Sequence, residues 1–183
     1  MRFTPTRLQD VIVIDPEAYE DSRGFFMETF HIDAFTEAGL PSAFLQDCHS
    51  HSKQGVLRGL HYQAPHLQGK LVRVASGVIY DVVVDIRLGS PTFAQWVGIE
   101  LSASNKSQIW VPRGFAHGFY VLSETADIIY KMDATYVAGD TCGILWNDYE
   151  IGIEWPSTEP VLSSADSSAS RLRDALHLPE YNQ

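Results

Sequence analysis

Residues 78–87, VIYDVVVDIR, decide the fold. On an extended chain Tyr80, Val82, Val84 and Ile86 fall on one face, and Asp81, Val83, Asp85 and Arg87 fall on the other, a period of two that a helix does not accommodate. Gly77 precedes the run and Gly89-Ser90-Pro91 closes it as a turn. Working outward, residues 95–101, 108–111, 115–122 and 127–137 form further short apolar runs. They are separated by Ser102-Ala103-Ser104-Asn105, Pro112-Arg113-Gly114 and Ser123-Glu124. Many short strands with turn signals between them and little helical periodicity predict a mainly β domain with a few short peripheral helices, and a jelly-roll barrel is the leading architecture.

Toward the N-terminus, residues 11–14 read as a strand closed by Asp15-Pro16. In DSRGFFMETF, residues 21–30, a turn at Asp21-Ser22-Arg23-Gly24 leads into a strand with aromatics on both faces, which predicts cover on each side. Residues 32–38 have helical character and stop at Gly39, with Pro41 beyond. The tail from about residue 163 is rich in serine and alanine, with a short final helix expected over residues 171–176. No linker or internal repeat interrupts residues 1–183, so one domain is expected.

With 13 basic against 23 acidic residues the net charge is −10. That charge disfavours generic binding to nucleic acid or to an anionic membrane surface. An anionic small ligand would need a local cluster such as Arg23, Arg58, Lys70 and Arg73. Two cysteines, Cys48 and Cys142, argue against a disulfide framework. The N-terminus has no signal-like apolar run and no segment is long enough to span a bilayer, so a soluble cytoplasmic protein is expected.

The chemistry concentrates in GVLRGLHYQ, residues 55–63. The guanidinium of Arg58 suits phosphate oxygens, and His61 is the kind of group that moves a proton near neutral pH. Strict alternation sets the two on opposite faces, so Gly59 must bulge the strand or the two residues serve different walls. Asp81 sits mid-strand among apolar residues and needs a partner. A pair with Lys70 would satisfy both charges and aim an ammonium into the interior, for charge stabilisation or as a structural ion pair. His117, in GFAHGFYVL, shares a face with Phe115 and Phe119 and reads equally as a polar site group or a packed core histidine. Tyr130 and Tyr136 face the same way, and a buried tyrosine hydroxyl also needs a partner. His49-Ser50-His51 with His61, His66 and His117 is the rival metal reading. No carboxylate follows at a short ligand spacing, so no metal is expected. Rossmann and P-loop fingerprints do not occur.

In order along the chain, DSRGFFMETF, GVLRGLHYQ, QGKLVRVASGVIYDVVVDIRLGSPTF, PRGFAHGFYVLS and LWNDYEIGIEWP resemble the dTDP-4-dehydrorhamnose 3,5-epimerase family, over roughly residues 10–166. The resemblance implies a cupin-type barrel and epimerisation beside a ketone without a cofactor. His61 would be the base, oriented by Asp166, with Lys70 stabilising the enolate and Asp81 holding that lysine. Tyr130 would return a proton from the opposite face. Arg23 and Arg58 would take the diphosphate of a dTDP-linked 4-keto-6-deoxyhexose, Glu28, Gln46 and His117 would line the pocket, and Tyr136 would stack on the base. A homodimer with strands exchanged or shared is implied as well. Three departures stand out. Cys48 replaces the usual asparagine, so one ligand hydrogen bond is in question; Ala138 and Thr141 replace proline and glutamate; and Ala165 replaces lysine. They suggest as a rival a mono-epimerase of a related deoxysugar; a non-catalytic sugar-nucleotide barrel is the alternative from another class, against which Tyr130 with Asp166 argues.

Overall fold

The computed structural model describes residues 1–181. Thirteen strands are described. They are β1 (Arg2–Pro5), β2 (Ile12–Asp15), β3 (Ala18–Asp21), β4 (Gly24–Met27), β5 (Gln46–Lys53), β6 (Leu57–Gln63), β7 (Lys70–Ser76), β8 (Val78–Asp85), β9 (Trp96–Ser102), β10 (Gln108–Val111), β11 (Phe115–Val121), β12 (Thr125–Met132) and β13 (Thr141–Gly143). A six-stranded sheet runs β1-β2-β10-β7-β12-β5, and a five-stranded sheet runs β13-β6-β11-β8-β9. The molecule is mainly β, with the cupin-type jelly-roll arrangement. The two sheets face one another as a sandwich rather than closing into a continuous hydrogen-bonded barrel.

The decisive alternation in β8 corresponds to burial on two sides. Ile79 and Val83 enter the core between the sheets with Val72, Ile109, Phe115, Phe119 and Ile128. Val82, Val84 and Ile86 enter a second core under the chain that follows β13, with Leu60, Ile144, Ile151 and Leu172. Nonpolar burial on both faces is what makes the strand so apolar, and at about 25 cal/mol per Å² it is the main stabilising contribution. A third cluster packs the helix α1 (Ile32–Glu37) on the outer face of the six-stranded sheet, through Phe35 against Ile14, Leu71 and Trp110. The helix ends as its sequence suggests, with Gly39 at φ +72°.

Several expectations are corrected. The hairpin β3–β4 is not covered on its two faces: Tyr19, Phe25 and Phe26 are 60%, 55% and 71% exposed, because the pair stands apart as its own two-stranded sheet. The strand expected over residues 127–137 ends at Met132. The chain turns there because the Asp133 carboxylate accepts from the Gly69 amide and from Arg113. The tail forms α2 (Ser164–Ser167) and a single 3₁₀ turn at Leu172–Asp174 in place of a helix over 171–176.

Candidate active site

The bulge needed at Gly59 is present. In the β6–β11 ladder His117 pairs with His61 and Phe119 with Arg58, so the register slips by one residue between them. Gly59 has φ +125°, and a Cβ there would lie 2.6 Å from the Gly118 Cα and 2.8 Å from the His117 carbonyl oxygen. Only glycine fits this approach. The slip turns Arg58 and His61 toward the same space, a cavity of about 300 Å³ also lined by Lys70, His117, Tyr130 and Tyr136.

His61 is held from behind. Its Nε2 lies 2.6 Å from Asp166 Oδ1, and an ionised carboxylate there fixes the proton on Nε2 and leaves the Nδ1 lone pair free. Asp166 is buried on α2, where Ser163 caps the helix: the Asp166 amide donates to Ser163 Oγ at 3.1 Å, and that hydroxyl donates to Asp166 Oδ2 at 2.8 Å. Both carboxylate oxygens are thus engaged. Burial pulls the His61 pKa below its ordinary value against the opposing pull of Asp166, and the nearby Lys70 ammonium adds to the fall.

Lys70 opens β7, and burial lowers its pKa to about 8, with the Asp81 carboxylate resisting that fall at longer range. The anticipated Lys70–Asp81 ion pair is not formed among the described residues. Asp81 instead hydrogen-bonds His117, Oδ2 to Nε2 at 2.8 Å, with both side chains almost fully buried. The reason lies in the register: β11 pairs with β8 and sets Phe119 opposite Asp81 and His117 opposite Val83, so the imidazole reaches the carboxylate along the core-facing side. Asp81 Oδ1 has no hydrogen-bond partner among the described residues.

Tyr130 projects from β12. Burial pushes its pKa up to about 12, opposed by a 2.6 Å hydrogen bond with Ser50 Oγ. Cys48 pairs with Tyr130 across the β5–β12 ladder and lines the cavity. Tyr136 stands half-exposed at the mouth, with its amide donating to Gln46 Oε1 at 2.7 Å and its hydroxyl accepting from Thr141 at 3.3 Å. Gln46 therefore supports lining residues rather than lining the cavity itself, and its amide nitrogen also meets Cys48 Sγ at 3.4 Å. Arg58 is steadied by Ser52, Nε to Oγ at 3.0 Å.

Two expected residues lie elsewhere in the single chain. Arg23 sits at the tip of the exposed hairpin and pairs with Asp21 at 2.6 Å, and Glu28 borders a separate depression with Glu17 and Tyr19. Residue order along one chain does not show that the hairpin projects away from its own cavity. Ser50, Gln63, Gln68 and Met132 line the cavity without having been singled out. The signal was available for two of them: Ser50 is two residues from Cys48 and Gln63 two from His61, hence on the same strand faces. His49 and His51 both contact Asp127 Oδ1, at 2.9 and 3.1 Å. Among the described residues no group of three or more His, Cys, Asp or Glu side chains is placed to hold a metal ion.

A sandwich with a cavity lined from both of its sheets is the architecture of cupin-like isomerases of sugar nucleotides. A family model described as dTDP-4-dehydrorhamnose 3,5-epimerase matches residues 5–174. A Shigella flexneri dTDP-4-dehydrorhamnose 3,5-epimerase is 51% identical over 96% of this chain and 98% of its own length. The crystal structure of a Legionella pneumophila 3,5-epimerase in complex with dTDP-4-keto-L-rhamnose superposes with a TM-score of 0.96 at 47% identity, covering 100% of this chain and 99% of the other. A 3′-monoepimerase of Streptomyces bikiniensis in complex with dTDP-quinovose shares the fold at a TM-score of 0.87 and 31% identity, over 92% of this chain and 87% of the other. The chain belongs to the dTDP-4-dehydrorhamnose 3,5-epimerase family, and it is an isomerase.

Proposed function

We propose that this chain epimerises dTDP-4-dehydro-6-deoxyglucose at both carbons flanking its 4-keto group, giving dTDP-4-dehydrorhamnose for rhamnose synthesis. The observation that carries the reading is the His61–Asp166 pair facing a cavity shared with Lys70 and Tyr130. His61 removes a proton from a carbon next to the ketone, using the free Nδ1 lone pair. The electrons move onto the ketone oxygen, where the Lys70 ammonium supports the enolate; one such preorganised donor is worth about 3–4 kcal/mol in the transition state. Tyr130 returns a proton to the opposite face, which inverts the centre. Two groups are required because a single base tends to restore the proton where it was taken. Asp166 keeps the His61 tautomer fixed, and Asp81 acts through His117 and at longer range on Lys70. The residues of this site carry the reaction without assigning a step to a metal or a cofactor.

Arg58 takes the diphosphate, Tyr136 stacks on the thymine, His117 and Cys48 complete the walls, and Gln46 holds Tyr136 in place from behind. A homodimer accounts for Arg23 and Glu28. The hairpin β3–β4 carries exposed Phe25 and Phe26 beside Arg23, and β5 is an unpaired edge next to the cavity; a second copy's hairpin laid along that edge would bring Arg23 and Glu28 of the partner subunit to the ligand. The chain works as one domain in the cytoplasm; among the described residues no helix is long and apolar enough to cross a membrane.

The pH dependence of kcat/KM tests this assignment, since it reports groups of the free enzyme. Activity needs neutral His61 and protonated Lys70. The acid limb is therefore expected below the ordinary histidine value, because burial lowers the His61 pKa, and the alkaline limb near pH 8, where Lys70 loses its charge. Lys70→Arg keeps the charge at all these pH values, so its residual activity should lose the alkaline limb near 8. A limb that stays in place in that variant removes Lys70 from the enolate.

A further inference from the structure

We propose that Ser50 is the positioning residue for Tyr130: its hydroxyl holds the phenol toward the sugar ring and donates to the phenolate left when the proton is delivered. This rests on Tyr130 being the acid of the reaction. The two oxygens are 2.6 Å apart, and among the described residues the Tyr130 hydroxyl has no other hydrogen-bond partner. Ser50 lies on β5 opposite Ile128, one alternation from Cys48, which pairs with Tyr130; both Ser50 and Tyr130 line the cavity. A serine hydroxyl rotates freely, so it can accept from the phenol in the resting site and donate to it once the phenol is ionised.

The chemistry requires such a group. Proton abstraction by His61 breaks a C–H bond and leaves the electron pair on the ketone oxygen. The enolate then collapses, forming the new C–H bond with the Tyr130 proton, and imidazolium and phenolate remain until the proton passes between them through solvent. Burial opposes the phenolate, and Asp81 does so too, whereas Arg58 and the Ser50 hydrogen bond favour it. Arg58 is engaged by Ser52, so Ser50 is the direct contact. Hydrogen bonds to a charged group are the stronger kind, and losing this one falls on proton return rather than on proton removal.

Ser50→Ala removes one oxygen from a half-buried site and adds no volume. In deuterated water, exchange of the ring protons with retention and formation of inverted product are followed together by NMR. Ser50→Ala should slow inversion by about 10- to 100-fold while exchange persists, so the ratio of exchange to inversion rises by about that factor. Ser50→Thr, which keeps the hydroxyl, should restore the ratio, and Ser50→Cys, a poorer donor, should give an intermediate one. If exchange and inversion fall together in Ser50→Ala, or the ratio is unchanged in the alanine and cysteine variants, the positioning role is overturned while the assignment of Tyr130 stands. If the unaltered protein exchanges no ring proton, the assignments of His61 and Tyr130 fail and this one fails with them.

Discussion

His61→Ala is expected to lower kcat by about 10²- to 10⁴-fold, the usual contribution of a positioned general base, while KM changes little because the proposed role sets His61 at the reacting carbon rather than at the diphosphate. The structure supplies what that role needs. The ring is fixed by a 2.6 Å bond to a carboxylate whose second oxygen is itself held by Ser163, and a low pKa keeps the imidazole neutral and ready to accept. Folding should survive, since Asp166 retains the Ser163 hydroxyl and the helix cap when the imidazole is lost. Steady-state rates of product formation, with circular dichroism as the check on folding, decide the matter. A variant that is folded and retains more than a tenth of kcat would assign the base elsewhere.

Lys70→Met should cost about 10²- to 10³-fold in kcat, the typical loss when one oxyanion donor is removed. It carries a second, opposite effect that a merely structural lysine would not show. Burial holds the Lys70 pKa at about 8 against an ordinary value of 10.5, so between those values the unfolded chain binds more protons than the folded one. Stability therefore rises with pH across that window, and below it the folded protein bears a buried charge at a cost. Methionine removes the cost while keeping much of the shape. Thermal melts at pH 7 should accordingly show the inactive variant more stable than its parent, as expected where a site holds a group for function at the expense of stability. A variant that is both inactive and less stable would argue that Lys70 serves mainly to neutralise the buried Asp81.

The parts legible in the sequence were those governed by local chemistry. The period-two alternation of residues 78–87 identified β8, since apolar side chains on both faces need cover on both faces. Gly59 was legible in part: Arg58 and His61 have opposed parity, which required either a bulge at Gly59 or two different walls, and the register shift between His117 and Phe119 decides for the bulge. The Asp81 partner was not legible, because the pairing with His117 depends on the register of β8 against β11, which no spacing within either strand records. The end of β12 was missed because the Asp133 carboxylate, held by the Gly69 amide and Arg113, turns the chain while the apolar pattern continues to Val137. Arg23 and Glu28 mark a further boundary. Their residue types fit an anionic ligand, yet the hairpin that bears them projects away from its own cavity, and the aromatics that seemed to need internal cover stand on the surface instead. Cys48 and Thr141 do lie at the cavity, so two of the three departures from the family pattern touch the ligand walls. The His61–Asp166 pair, Lys70 and Tyr130 are all present.

The most direct test of two-sided proton transfer is an NMR spectrum of the product formed from dTDP-4-dehydro-6-deoxyglucose in deuterated water. The expected result is inversion at both carbons flanking the ketone, with deuterium at each. Inversion at one carbon only, or product without deuterium, would contradict it.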